Sequence, residues 1–166
     1  GKVYLAEGRF TEANAYFIRA RDIAEQIDDD FILAQAYNNL AEVELRNGSA
    51  EKALSLSKAA FGKIKARGKN REAAVILHNL GASYSKLSRL EEAEEYFRQA
   101  LSVNQTFRSY AELAANYYML ASIYSRKKLY EDAEEYALSA LKYDKIIENS
   151  KGIGKDLTAL AVISAK

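Results

Sequence analysis

The sequence predicts an all-α fold, an α-solenoid built from antiparallel helix pairs. Three observations predict it. The chain repeats itself at intervals of 40 residues: Leu40, Leu80, Leu120 and Leu160 form one column and Ala41, Gly81, Ala121 and Ala161 the next. Two further columns are Ala13, Ala53, Ala93, Ala133 and Ala20, Ala60, Ala100, Ala140. Self-similarity at such a period marks stacked units, each burying its apolar face on its neighbours. Apolar residues also fall at helical spacing, as in Ala93, Phe97, Ala100 and Leu101, or Leu33, Ala36, Tyr37, Leu40 and Ala41. Finally, proline is absent from all 166 residues, which suits nearly continuous helix.

The elements follow in order. Residues 1–7 read as the remnant of a first helix, because Tyr4 shares a column with Tyr84 and Tyr124, broken by Glu44. Its partner spans 11–27, followed by the loop Asp28-Asp29-Asp30. The second unit pairs 31–46 with 50–67, the third 71–87 with 91–105, and the fourth 109–127 with 131–148. A loop at 149–152 precedes a fifth unit that begins at 154–166. No linker divides the chain, so the expectation is one array over 1–166 of about four helix pairs, cut from a longer one. Alanine and glycine recur where two helix backbones must approach, since larger side chains would overpack the contact. Gly8 and Gly48 stand at the turn inside a pair, where a positive φ is easiest for glycine, and Ser88 and Lys128 replace them later. Ser88 and Glu91 have the spacing of a capping box.

Several function classes fall away. A net charge of +1 gives no global attraction to nucleic acid. With no cysteine there are no disulfides or thiolate metal sites. No apolar run approaches the roughly 20 residues of a membrane helix, and no signal peptide is visible. His78 is the only histidine, so no histidine pair can hold a metal. The clusters Glu91-Glu92-Glu94-Glu95 and Glu131-Asp132-Glu134-Glu135 open second helices, where carboxylates favour the dipole. Asp28-Asp29-Asp30 lacks the twelve-residue calcium pattern, and Gly152-Ile153-Gly154-Lys155 lacks phosphate-loop spacing and reads as a loop. The basic run from Lys63 to Arg71 could meet phosphates, but cations at a helix C-terminus are the simpler reading. The sequence therefore predicts no catalytic residue, no cofactor and no metal.

The helix-pair pattern, exemplified by 79–101, resembles the tetratricopeptide repeat family over nearly the whole chain. The resemblance implies a right-handed superhelix. This chain's 40-residue unit is longer than the family's usual repeat of about 34. It further implies that first helices line a concave groove. The candidate groove residues are Asn38, Asn39, Glu42 and Arg46, then His78, Asn79 and Lys86, then Tyr118, Met119, Ser122 and Arg126. A carboxamide both donates and accepts, so Asn39 and Asn79, one repeat apart, could pair with an extended peptide backbone. Arg46, Lys86 and Arg126 form a periodic cationic ladder suited to spaced Asp or Glu on the ligand, set against a Glu42–Arg46 pair that would merely compensate a helix end. Gln35, Val75 and His78 occupy columns where the family's carboxylate clamp uses basic residues, so a chaperone C-terminus fits poorly. The function expected is a non-enzymatic scaffold holding an extended partner segment. The alternative is a self-assembly module or the sensor arm of a larger protein.

Overall fold

A computed structural model of the protein describes residues 1–68 and 70–166; Lys69, within the basic run, lies outside the described residues. A left-handed backbone residue recurs at every twentieth position: Gly8, Asp28, Gly48, Gly68, Ser88, Arg108, Lys128 and Glu148, with φ between 51° and 83°. At seven of the eight the same two backbone bonds close the turn. Gly48 N donates to the Leu45 carbonyl at 3.3 Å and Ser49 N to the Glu44 carbonyl at 2.8 Å; Lys128 N and Leu129 N repeat this on Ser125 and Tyr124, both at 3.0 Å. This is the Schellman arrangement, which satisfies the last helical carbonyls and reverses the chain within three residues.

Between the turns lie the helices, in two compact units, Gly1–Arg89 and Leu90–Lys166. The first unit holds α1 (Lys2–Ala6), α2 (Phe10–Gln26), α3 (Asp30–Arg46), α4 (Ala50–Ile64) and α5 (Arg71–Lys86). A 3-10 turn at Lys65–Arg67 follows α4. Each helix packs on the next, and α3 also packs on α5. Leu5, Ala13, Phe17, Leu40 and Val43 make one core cluster, with Tyr4, Phe10, Ile18 and Leu56 against it. Asp29 caps α3 by accepting from the N–H groups of Phe31 and Ile32 at 2.9 and 3.0 Å. Members of the basic run face protein here: Lys63 pairs with Asp30 at 2.8 Å, and the Arg67 guanidinium lies 4.9 Å from the Phe31 ring.

The second unit holds α6 (Leu90–Phe107), α7 (Tyr110–Arg126), α8 (Tyr130–Ile146) and α9 (Ser150–Ser164). Here α7 packs on α8 and also on α9. Tyr110, Tyr117 and Tyr124 recur every seven residues on α7, and Tyr136 and Tyr143 do so on α8. Seven residues is nearly two turns, so each set forms one stripe. The stripes interleave along the antiparallel seam, with centroids 5.7 Å apart for Tyr110–Tyr143 and Tyr143–Tyr117, 6.3 Å for Tyr117–Tyr136 and 5.0 Å for Tyr136–Tyr124. Such pairs contribute about 0.5–1.5 kcal/mol each beyond their buried area. Ala121, Ala133, Ala137 and Ile163 fill the neighbouring core.

The small-residue columns are buried along most of their length. Ala13, Ala53, Ala93 and Ala133 are fully enclosed, as are Ala60, Ala100 and Ala140. Ala20 is half-buried, since only the five-residue α1 precedes its helix, and Ala161 on α9 is exposed. Two local expectations need correction. Gly152 and Gly154 are not in a loop: α9 already begins at Ser150, because the Asn149 side chain accepts from Gly152 N at 3.2 Å and caps it. Ser88 does not begin a capping box. It is the left-handed turn residue, and Arg89 separates it from α6.

A left-handed conformation costs a residue with a Cβ roughly 1–2 kcal/mol that glycine does not bear. Lys128→Gly should therefore raise stability by about 1 kcal/mol, read as a higher urea midpoint at unchanged m-value.

Candidate functional site

Because α7 and α9 are both first helices and α8 lies behind them, their exposed faces meet in a cleft of about 630 Å³. From α7 come Tyr118, Ser122, Ser125 and Arg126, and from α9 come Lys151, Lys155 and Thr158. Ala121, Ala159, Val162 and Ile163 supply an apolar floor. Three cations and no carboxylate line it among the described residues. The Thr158 hydroxyl donates to the Gly154 carbonyl at 2.8 Å, which leaves its oxygen facing outward as an acceptor. The cleft can thus take an anionic group between side chains from two helices while burying an apolar stretch beneath it.

The other candidate residues divide. Asn38 and Asn79 are only 4% and 7% exposed, and Asn79 Nδ2 donates to Asn38 Oδ1 at 2.9 Å. The readings of Asn38 as a groove residue and of Asn79 as one that pairs with a ligand backbone are therefore corrected: both are buried and hydrogen-bonded to each other between α3 and α5. Buried amides without such a partner would each cost about 1–3 kcal/mol. Asn39 is half-buried and lines a smaller hollow of about 310 Å³ with Gln35, Ile32 and Tyr16. Glu42 accepts from Arg46 at 2.8 Å across one helical turn, so the compensating pair is formed. Lys86 is exposed on α5, and His78 and Met119 are half-buried. Arg46 and Lys86 belong to the first unit and Arg126 to the second.

Lys151 escaped sequence reasoning because 149–152 was read as a loop, and Lys155 and Thr158 because the groove columns were not carried into the fifth unit. The repeat itself carried the signal: adding 40 to Tyr118 gives Thr158, and extending the column of Gln35, Val75 and Ala115 gives Lys155.

A family model described as tetratricopeptide repeat matches residues 1–62 and 72–146. The chain belongs to the tetratricopeptide repeat family. That membership makes it a protein-interaction or scaffold module of a generally non-catalytic kind. Similar solved structures agree on the fold. BtubC (BKLC) from P. vanneervenii is 22% identical, with a TM-score of 0.84 over 98% of this chain and 68% of that one. A signal transduction ATPase with numerous domains and a tetratricopeptide repeat sensor, from Pyrococcus horikoshii, is also 22% identical, with a TM-score of 0.80 over 98% of this chain and 25% of that one. A Podosopora anserina putative kinesin light chain with nearly identical TPR-like repeats is 16% identical, with a TM-score of 0.76 over 98% and 80%. No curated protein matches by sequence. As an α-solenoid of antiparallel helix pairs, the chain shares their architecture. Among the described residues no helix is long and apolar enough to cross a membrane, and no cluster of His, Cys, Asp or Glu could hold a metal ion.

In this tetratricopeptide array α7 is clamped by the tyrosine seam on one side and by a charged network to α6 on the other. Glu94 Oε1 accepts from the Tyr124 hydroxyl at 2.6 Å and from Arg98 Nε at 2.9 Å, while Oε2 accepts from Lys127 Nζ at 2.9 Å. Burial would raise the pKa of Glu94, but the donors Tyr124, Lys127 and Arg98 together outweigh it and lower it to about 2. Charge-assisted bonds of this kind are stronger than neutral ones. The folded pKa lies below the ordinary value, so the network's contribution is present above about 4.5 and is lost as pH falls towards about 2. Glu94→Gln should be less stable than wild type near neutrality and lose less stability over that acid window. Parallel acid titrations of the two proteins by circular dichroism check this.

Proposed function

We propose that this chain is a protein-interaction module that holds an extended, acidic partner segment in the α7–α9 cleft. The observation that carries the reading is the lining: Arg126, Lys151 and Lys155 over an apolar floor, with no carboxylate among the described residues. Its volume of about 630 Å³ lies within the usual range of ligand clefts, about 300–1,000 Å³. An extended chain advances about 3.3 Å per residue, so acidic side chains spaced along the segment can meet cations on both helices. Exposed ion pairs contribute only about 0.2–1 kcal/mol each. Charge therefore selects the ligand, and the apolar floor with the Tyr118, Ser122 and Thr158 hydroxyls holds it.

The test is fluorescence anisotropy with labelled extended peptides bearing spaced Asp, and the same peptides with Asn in their place. The acidic set should bind more tightly, and less so as salt rises. Lys151→Glu with Lys155→Glu should weaken it roughly tenfold or more without lowering the melting temperature much. Equal affinity for both peptide sets, or undiminished affinity of the double variant, would sink the proposal.

A second reading is self-association. Leu157 and Val162, each about half exposed on α9, favour it. Size-exclusion chromatography over a wide concentration range should then give a concentration-dependent elution volume, and a constant volume removes this reading.

A further inference from the structure

The 40-residue register places one residue near the end of each second helix and one about two turns into the helix that follows. In chain order these are Ala24 and Ala36, Ile64 and Ile76, Asn104 and Asn116, and Asp144 and Asp156, and all eight are buried. Two joints are apolar, the third carries amides and the fourth carries two acids. Asp144 and Asp156 are 6% and 1% exposed. Asp144 Oδ1 accepts from Asn149 Nδ2 at 2.9 Å, and the same Asn149 caps α9. A Cβ at residue 152 would collide with the Asp144 carboxyl, so Gly152 is required for the acid to sit there. Oδ2 of Asp156 is enclosed with no hydrogen-bond partner among the described residues.

The Asp144 carboxyl thus lies against α9 at Gly152, one helical turn before Asp156, and two buried ionised carboxyls so placed, one with an enclosed and unanswered oxygen, would repel each other. A single proton resolves the conflict, because the protonated carboxyl donates to its neighbour's carboxylate. We propose that Asp144 and Asp156 form a proton-operated latch at the α8–α9 joint, in which a shared proton holds α9 against α8 and its loss loosens α9.

The surrounding groups fit this reading. Burial first, then the charge of Asp144 and the hydrogen bond to it, push the Asp156 carboxyl up to about 6, and only Lys155 on the same helix opposes them. From α7, Tyr118 and Arg126 face α9 across the cleft. The folded value lies above the ordinary 3.8, so the latch is fully engaged below about 3.8 and is released as pH rises through about 6. Since α9 carries Lys151, Lys155 and Thr158, release would also take apart one wall of the cleft; that consequence rests on the binding role proposed above, whereas the latch does not.

The test is hydrogen exchange by mass spectrometry on the whole chain at about pH 5 and about pH 8, each rate divided by its intrinsic rate. Protection of α9 relative to α7 should fall roughly tenfold between the two. The double variant Asp144→Asn with Asp156→Asn places at this joint the amide pair of the preceding one, and its relative protection should be the same at both pH values. Constant relative protection in the wild type, or a fall that persists in the double variant, overturns the proposal. If the double variant does not fold, carbon-13 NMR titration of the Asp156 carboxyl in the wild type decides: a midpoint near 6 supports the latch and one near 4 overturns it.

Discussion

The left-handed residue at every twentieth position is the constraint on which this structure depends. At seven of the eight turns it comes with the same pair of backbone bonds, which end the helix and return the chain antiparallel within three residues. Most helices are in consequence 15–18 residues long. Equal lengths keep the small-residue columns in register, so that Ala13, Ala53 and Ala133 each meet a neighbouring helix at the same depth. The turn needs its geometry more than it needs glycine. Asp28, Arg108, Lys128 and Glu148 adopt it too, each accepting the strain because the cooperative packing of two helices over-determines the position.

Within this common frame the seams differ in chemistry. The first core cluster is mostly aliphatic around Phe17, whereas the α7–α8 seam is a run of five tyrosines in ring contact. Tyrosine combines a large apolar face with a hydroxyl that must find water or a partner. The seam accordingly ends where Tyr124 meets Glu94, Arg98 and Lys127. The result fixes α7 from two sides and leaves its third face for the cleft with α9.

Buried polar pairs mark the places where the array departs from simple apolar packing. Asn38 and Asn79 bond between first helices of the first unit, and Asp144 and Asp156 meet at the last joint. A carboxamide pair is satisfied at any pH because each member both donates and accepts. An acid pair is satisfied only while it holds a proton. The columns that hold these two acids hold Asn104 and Asn116 at the preceding joint, so one register places amides at one joint and carboxyls at the next.

The sequence by itself determined the fold class, the positions of the turns and the helix boundaries to within a few residues. These follow from period, apolar spacing and the lack of proline, all of which act locally or between neighbouring repeats. That Tyr118, Ser122 and Arg126 lie off the apolar stripe of α7 was legible too, and these three line the α7–α9 cleft whereas Met119 does not. Which asparagine lines a hollow and which packs against another helix was decided only by tertiary structure. Asn38 and Asn39 are adjacent in sequence, yet the 100° between successive helical residues turns one into the core and leaves the other at a hollow. The start of α9 was likewise hidden. Two glycines suggested a loop, and only packing reveals that Gly152 lacks a side chain because the Asp144 carboxyl, eight residues earlier on another helix, occupies that space.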